Sequence, residues 1–166
     1  MRKMRKIFAF AFIILLGISE LALGQTANDT LKSLQKIEAK IQTGISYQDY
    51  PQVVAEVNNE VNMFLESNEA KKNPQFARNI KMAMDYYMTA KEIWDIKFNC
   101  MDDYVMERID INSNCGRQIK ILYHNSKAEI LPGNLGPVYV VSNVLRNIFN
   151  DASKQLIKAS EILKSD

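Results

Sequence analysis

Apolar residues recur at steps of three and four along most of the chain, a spacing that places them on one face of an α-helix. The first stripe predicts a helix capped by Asn28, Asp29 or Thr30, because a short side-chain oxygen accepts an unpaired N–H of the first turn. Gly44 ends this helix, since glycine tolerates the left-handed backbone conformation that often follows one. Its inner positions are Leu31, Leu34, Ile37 and Ile41.

Two further stripes predict a second and a third helix joined by a polar connection. The second covers residues 49–66, with Pro51 in the first turn, where its missing N–H leaves no bond unmade. Residues 67–73 form the connection, and Asn73 followed by Pro74 marks the start of the third helix. The inner positions are Val54, Val57, Val61 and Phe64 or Leu65 in the second helix, and Phe76, Ile80, Ala83, Tyr87, Ala90, Trp94 and Phe98 in the third.

The C-terminal part predicts a short helix, a turn-rich loop and a long last helix. The short helix covers residues 114–123, and the loop at 131–137 contains two prolines and two glycines. The last helix runs over residues 137–163. Residues 139–141 also suit a strand, because β-branched side chains favour pleated surfaces, but the helical period that follows favours helix. The inner positions of the last helix are Val141, Val144, Leu145, Ile148, Ala152, Leu156, Ala159 and Leu163.

Four long amphipathic helices and one short helix predict an all-α fold. Their stripes must be buried against one another, and short connections place successive helices antiparallel. We therefore expect an up-and-down antiparallel bundle. The chain length of 166 residues fits a single domain.

The N-terminus is typical of a cleavable secretory signal. Four cations within the first six residues precede an uncharged apolar run at 7–17, and the small residues Ala22 and Gly24 follow. This order predicts cleavage between Gly24 and Gln25, with residues 1–24 as signal and 25–166 as the mature domain. The alternative is an uncleaved anchor over residues 7–24, close to the minimum length for a span and interrupted by Glu20.

Cleavage changes the charge of the protein. It removes four basic residues and one acidic residue, which leaves 17 basic and 18 acidic residues in 142 positions. This nearly neutral chain carries no broad basic footprint for nucleic acid. It also contains no second apolar run of spanning length, so we expect no membrane association after cleavage. The expected location is the bacterial periplasm or the extracellular space.

Cys100 and Cys115 are the clearest chemical feature of the mature chain. In an oxidising compartment two cysteines most often pair, so the sequence predicts a structural disulfide. Free thiols, or a redox or metal pair, are the alternatives, although redox pairs usually have C-x-x-C spacing. With one histidine and two cysteines, the chain excludes a site that needs two histidines and a four-ligand zinc site built from Cys and His alone.

The candidate metal ligands are Met84, Met88 and His124. Met84 and Met88 lie one helical turn apart, and thioethers are soft ligands for Cu(I). A haem bundle could use one methionine and His124, but the C-x-x-C-H attachment motif is missing. Methionine is also a flexible core filler, and a single histidine is most often a surface residue, so the sequence favours these readings and predicts no metal or cofactor.

An acidic segment lies between the cysteines. Asp110, Asn112 and Asn114 are spaced like the start of a calcium loop. The pattern then fails, because Cys115 stands where the loop needs glycine and Ile121 where it needs glutamate. The sequence favours a solvated segment, which also includes Asp102, Asp103 and Glu107.

Motifs for catalysis are missing from the chain. The sequence has neither a glycine-rich phosphate loop nor a G-x-S-x-G elbow, and nothing selects a pair of carboxylates for acid–base chemistry. We therefore expect a non-enzymatic interaction or binding module of the bacterial envelope, with a protein partner there or outside the cell. The alternative is a metal- or haem-binding bundle that uses the methionines and His124.

Overall fold

The computed structural model describes residues 26–100, 108–130 and 136–165, and most of them are helical. The prediction of a mainly helical fold is therefore confirmed. The signal segment with Gly24 and Gln25, and residues 101–107 and 131–135, lie outside the described residues. In chain order the elements are α1 (Ala27–Thr43), α2 (Tyr50–Glu66), α3 (Asn68–Lys72), α4 (Pro74–Cys100), β1 (Arg108–Asp110), α5 (Asn114–Leu122), β2 (Val138–Val140) and α6 (Val141–Ser165).

Helix α1 begins one turn earlier than the sequence predicted. Thr26 is the capping residue: its Oγ1 accepts a hydrogen bond from the Asp29 N–H at 3.1 Å and donates one to the Asp29 carboxylate at 2.6 Å. The prediction of Asn28, Asp29 or Thr30 as the cap is therefore wrong. Gly44 ends the helix as predicted, with a left-handed φ of 89° and its N–H bonded to the Ile41 carbonyl.

The polar connection at 67–73 contains the short helix α3, which the sequence did not predict. The Ser67 side chain caps it by accepting the Ala70 N–H at 3.1 Å, and Ala70 is buried against the core. The predicted start of α4 is confirmed. The side-chain oxygen of Asn73 accepts the Phe76 N–H at 3.1 Å, and Pro74 is the first helical residue.

Residues 138–140 form a strand, so the prediction of helix there is wrong. β2 pairs antiparallel with β1, with Ile109 opposite Tyr139. Both of these side chains are buried, which gives the two-stranded sheet one inward face. The β-branched residues on either side of Tyr139 suit the pleated strand pairing. The helix predicted for this region begins only at Val141.

The core lies mainly between α4 and α6, which share the most extensive contact of the fold. Helix α1 packs on α2 and α6, while α2 and α5 pack on α4. The predicted inner stripe of α4 holds through Ala90 and then shifts to Ile93 and Ile96. Beyond Ala90 the prediction is wrong, because Trp94 is only partly buried and Phe98 is 37% exposed. Trp94 follows Tyr87 by seven residues, which is slightly less than two turns of a helix with 3.6 residues per turn. The Trp94 side chain therefore lies beside the buried line of α4 and not on it.

Candidate functional site

A cleft of about 420 Å³ opens between α1, α4 and α6. We call it the Tyr87 cleft. Its apolar wall comes from Ile41, Tyr87, Trp94, Leu145 and Phe149, and its charged lining residues are Glu38, Lys97 and Arg146. The volume lies in the range of small-molecule sites, roughly 300–1,000 Å³.

Three aromatic rings shape the apolar wall. The Phe149 ring centroid lies 6.5 Å from the centroids of both Tyr87 and Trp94, and the Trp94 contact has edge geometry. Beneath them, the buried Tyr50 ring lies 5.0 Å from Trp94 and 6.1 Å from Phe149. The Tyr50 hydroxyl donates a hydrogen bond of 3.0 Å to the Tyr87 carbonyl. The rings are therefore supported from the core side before any ligand enters.

Trp94 is also held from its outer side. The Tyr47 ring contacts it edge-on at 6.2 Å, and the Tyr47 hydroxyl donates to the Asp95 carboxylate at 2.8 Å. Lys91 pairs with the same carboxylate at 2.9 Å. Burial alone would raise the pKa of Asp95, but the hydrogen bonds from Lys91 and Tyr47 hold that pKa below its ordinary value. Asp95 thus stays ionised and anchors the tyrosine against the indole.

The Tyr87 side chain lines the cleft, but its hydroxyl is shielded from solvent. The residue is 1% exposed, and its hydroxyl has no hydrogen-bond partner among the described residues. Burial, reinforced by the negative charge of Glu38, raises the pKa of Tyr87, so the group is a neutral hydroxyl that can donate and accept. Leaving such a buried group unpaired costs about 1–3 kcal/mol.

Glu38 and Ser153 define the polar end of the cleft. The Ser153 hydroxyl donates a hydrogen bond to Glu38 Oε1, which joins α1 to α6. Glu38 is close enough to Tyr87 for its charge to affect the tyrosine pKa. This end therefore holds a carboxylate whose charge reaches the Tyr87 hydroxyl.

Positive charge gathers at the opposite end. Lys97 lies one turn after Trp94 on α4, and Arg146 lies one turn before Phe149 on α6. Tyr87 precedes Trp94 on α4 and Ser153 follows Phe149 on α6, so these two residues lie on the other side of the Trp94–Phe149 contact from Lys97 and Arg146. Of the charged side chains lining it, two are cationic and one is anionic, and Arg146 is exposed.

The structure separates the predicted metal ligands from this cleft. Met84 is buried at 2% exposure in α4, Met88 is partly buried on the same helix, and both contribute to the core. His124 is exposed beyond α5, where its carbonyl accepts a hydrogen bond of 2.7 Å from Lys120 Nζ. The residues that the structure describes contain no group of three or more His, Cys, Asp or Glu side chains able to hold a metal. The alternative of a metal or haem site built from the methionines and His124 stays a hypothesis.

The calcium-like segment forms the turn between β1 and α5. Asp110 Oδ1 accepts the Asn112 N–H at 2.7 Å, and the Asp110 carbonyl accepts the Ser113 hydroxyl. Ser113 in turn caps α5 by accepting the Gly116 N–H at 3.0 Å. The part of this segment that the structure describes thus uses its polar groups to begin a helix; Asp102, Asp103 and Glu107 lie outside it.

The predicted disulfide between Cys100 and Cys115 is confirmed. It joins the last residue of α4 to the first turn of α5, with the two Cα atoms 6.3 Å apart. The adjoining Gly116 is closely packed, since a Cβ there would lie 2.1 Å from the Asp110 carbonyl oxygen. The cross-link fixes α5 to the end of α4, and the close approach at Gly116 holds the first turn of α5 against the end of β1.

Comparison with protein-family models, curated proteins and solved structures gave no match for this chain. Within the described ranges, none of the helices combines the length and the apolar character that crossing a membrane requires.

Sequence reasoning missed Glu38, Lys97, Arg146 and Ser153 and treated Tyr87 as core. The first four are polar residues at the edges of helical stripes, where most positions are simply solvated. Only the packing of three helices brings them together. One signal was available: a tyrosine within an apolar stripe needs a partner for its hydroxyl.

Proposed function

We propose that this protein is an exported, non-enzymatic binding module and that the Tyr87 cleft is its binding site. The observation that carries the proposal is the aromatic wall of the cleft, where the Phe149 ring lies 6.5 Å from the rings of both Tyr87 and Trp94. The cleft has the volume of a small-molecule site, and the charged side chains of Glu38, Lys97 and Arg146 that line it can orient a bound molecule.

The composition of the wall supports binding. Trp94 and Phe149 offer large apolar faces at small cost in conformational entropy, and Tyr50 supports them from beneath. The few polar groups at the two ends are of the kind that orient a bound molecule. We place this site in a mature domain of residues 25–166, arranged as an antiparallel bundle.

Export rests on two features of the chain. The first is the signal-like order of residues 1–24, and the second is the Cys100–Cys115 bond, which suits an oxidising compartment. When the full chain is expressed in a bacterial host, we expect a product in the periplasm or medium whose mass corresponds to a chain beginning at Gln25. A full-length, membrane-bound product would contradict the proposal of export.

Binding has a convenient reporter, because Trp94 is the single tryptophan of the chain. Small aromatic acids, phenols and amines are titrated against the oxidised protein while indole emission and thermal unfolding are followed. We expect at least one class to change the emission and raise the unfolding temperature, as mass action requires for a ligand of the folded state. Enlarging Ser142 at the mouth with Ser142→Phe should abolish both responses, while the exposed-site control Lys81→Phe should preserve them. Absence of any response in all three classes would refute the proposed site.

A further inference from the structure

The Tyr87 cleft presents accessible apolar surface from three helices. Ile41 of α1, Trp94 of α4 and Phe149 of α6 line it, and each of these side chains is only partly buried. The Trp94 and Phe149 rings already touch edge-on, with their centroids 6.5 Å apart, so a bound molecule lies over the two rings and does not enter between them. Covering this surface removes apolar area from water, which favours a ligand with an apolar body.

The charged residues of the cleft are separated along α6. Arg146 is exposed on this helix, and Ser153, whose hydroxyl donates to Glu38, lies two turns later. At a rise of about 1.5 Å per residue, Arg146 and Ser153 are roughly 10 Å apart along the helix axis. The cleft therefore has a cationic end and an anionic end, with Phe149 between them.

We propose that the Tyr87 cleft binds an apolar monocarboxylate, with the carboxylate at Arg146 and the apolar body over Trp94 and Phe149. The inference rests on the proposed function, because it names the ligand class of the same site. Arg146 forms no ion pair with any residue that the structure describes. Its guanidinium is a planar fork of donors, which matches the two oxygens of a carboxylate.

The other charged residues of the lining also favour a negative ligand. Lys97 lines the cationic end from α4 and adds a second positive charge there. Glu38 already accepts a hydrogen bond from Ser153, and its carboxylate repels an anionic group from the opposite end. The ligand carboxylate is therefore directed to Arg146, and the apolar body points toward Glu38.

Glu38 also limits the length of the apolar body. A body that extends past Ser153 would cover Glu38 and remove water from its carboxylate, and an apolar group offers no hydrogen bond in return. Between Arg146 and Ser153, each added methylene group covers more of the apolar wall. We therefore expect the affinity to rise with the length of the body until the body reaches Glu38, and then to stop rising.

Three probes with the same body test the charge of the ligand: 3-phenylpropanoate, 3-phenylpropan-1-ol and 3-phenylpropylamine. They are titrated into the oxidised protein at neutral pH, while Trp94 emission and thermal unfolding are followed. We expect the acid to bind about two- to fivefold more tightly than the alcohol, the range of an exposed ion pair. The amine should bind weakest, because its ammonium group meets Arg146.

Straight-chain acids test the length of the body. Butanoate, hexanoate, octanoate and dodecanoate are titrated in the same way. From butanoate to octanoate the affinity should rise by about two- to fourfold per methylene group, the upper value being that of a fully buried group. Dodecanoate should gain little over octanoate. An equal gain per methylene group up to dodecanoate would show that Glu38 does not limit the body, and the proposed placement would be wrong.

Variants of Arg146 test the carboxylate contact. Arg146→Gln should make the acid and the alcohol bind equally, and Arg146→Glu should make 3-phenylpropylamine bind more tightly than 3-phenylpropanoate. Neither variant should change the affinity for the alcohol. Arg78→Glu is the matched control, since Arg78 is an exposed cation of α4 outside the cleft lining, and it should keep the preference for the acid.

The outcomes separate the ligand class from the site. If the alcohol or the amine binds the parent protein as tightly as the acid, the inferred ligand class is wrong while the cleft remains a binding site. The same holds if Arg146→Glu changes the preference no more than Arg78→Glu does. If none of the probes changes Trp94 emission or thermal unfolding, the inferred ligand class is refuted, and the wider titration alone decides the proposed function.

Discussion

Tyr50 and Tyr87 allow the same chemical change to be made at two buried sites with opposite expected effects on stability. Both side chains are at most 1% exposed, and replacement by phenylalanine removes only the hydroxyl. The Tyr50 hydroxyl donates to the Tyr87 carbonyl at 3.0 Å, whereas the Tyr87 hydroxyl has no partner in the described residues. The pair therefore tests whether the Tyr87 hydroxyl is unpaired in the folded protein.

The magnitudes follow from the hydrogen-bond difference. A typical hydrogen bond contributes about 0.5–1.5 kcal/mol to stability, so Tyr50→Phe should lower the free energy of unfolding by roughly 1 kcal/mol. An unpaired buried hydroxyl costs about 1–3 kcal/mol, so Tyr87→Phe should raise that free energy by roughly 1 kcal/mol as the polar group is removed. The two variants should thus differ by about 2 kcal/mol.

Urea unfolding of the oxidised protein, followed by circular dichroism, measures both effects. The dependence on urea concentration should be the same for both variants and the parent, because the area buried on folding hardly changes. If Tyr87→Phe destabilises the protein as much as Tyr50→Phe, the Tyr87 hydroxyl has a partner in the folded protein and the reasoning is refuted.

Three further measurements test other parts of the structure. Replacing Cys100 and Cys115 together by serine should lower the free energy of unfolding by about 3 kcal/mol, because the disulfide closes a loop of about 15 residues in the unfolded chain. Urea titration measures this change, and an unchanged free energy of unfolding would mean that the disulfide does not restrict the unfolded chain. Gly44→Ala should lower the unfolding temperature and cost about 1 kcal/mol, since alanine is strained at a φ of 89°, with Ala39→Gly as a helix-interior comparison. Burial raises the pKa of Tyr50 and of Tyr87 above the ordinary value of 10.0. The free energy of unfolding should therefore fall above pH 10.0, by about 1.4 kcal/mol per pH unit for each tyrosine. Tyr87→Phe should show a smaller fall than the parent protein, and an unchanged slope would contradict the raised pKa of Tyr87.

The long helices were predictable because their signals are local. Gly44 and the Asn73–Pro74 pair marked ends that the structure reproduces, and repeated apolar spacing marked the faces between them. Residues 138–140 were not predictable in this way, since valine and tyrosine suit both a helix start and a strand. The pairing of Tyr139 with Ile109, some thirty residues earlier, decides between the two.

The cleft could not be predicted from the sequence, because it is formed by residues that lie far apart along the chain. Tyr87 and Trp94 have the spacing of core residues, and the sequence placed them there. Trp94 faces the cleft only because the buried line of α4 turns toward Ile93 and Ile96. Arg146 and Glu38 look like ordinary solvated positions until α1 and α6 meet.

The hydrogen bond between Ser153 and Glu38 spans 115 positions of the chain. Contacts with such large sequence separation require long loops to close, and they form slowly relative to local helices. The pocket is therefore incomplete until α6 has docked on α1. A chain without α6 lacks half of the residues that line the cleft. If the cleft binds a ligand as proposed, occupancy would hold α1 and α6 together, and the ligand concentration would then determine how often α6 detaches.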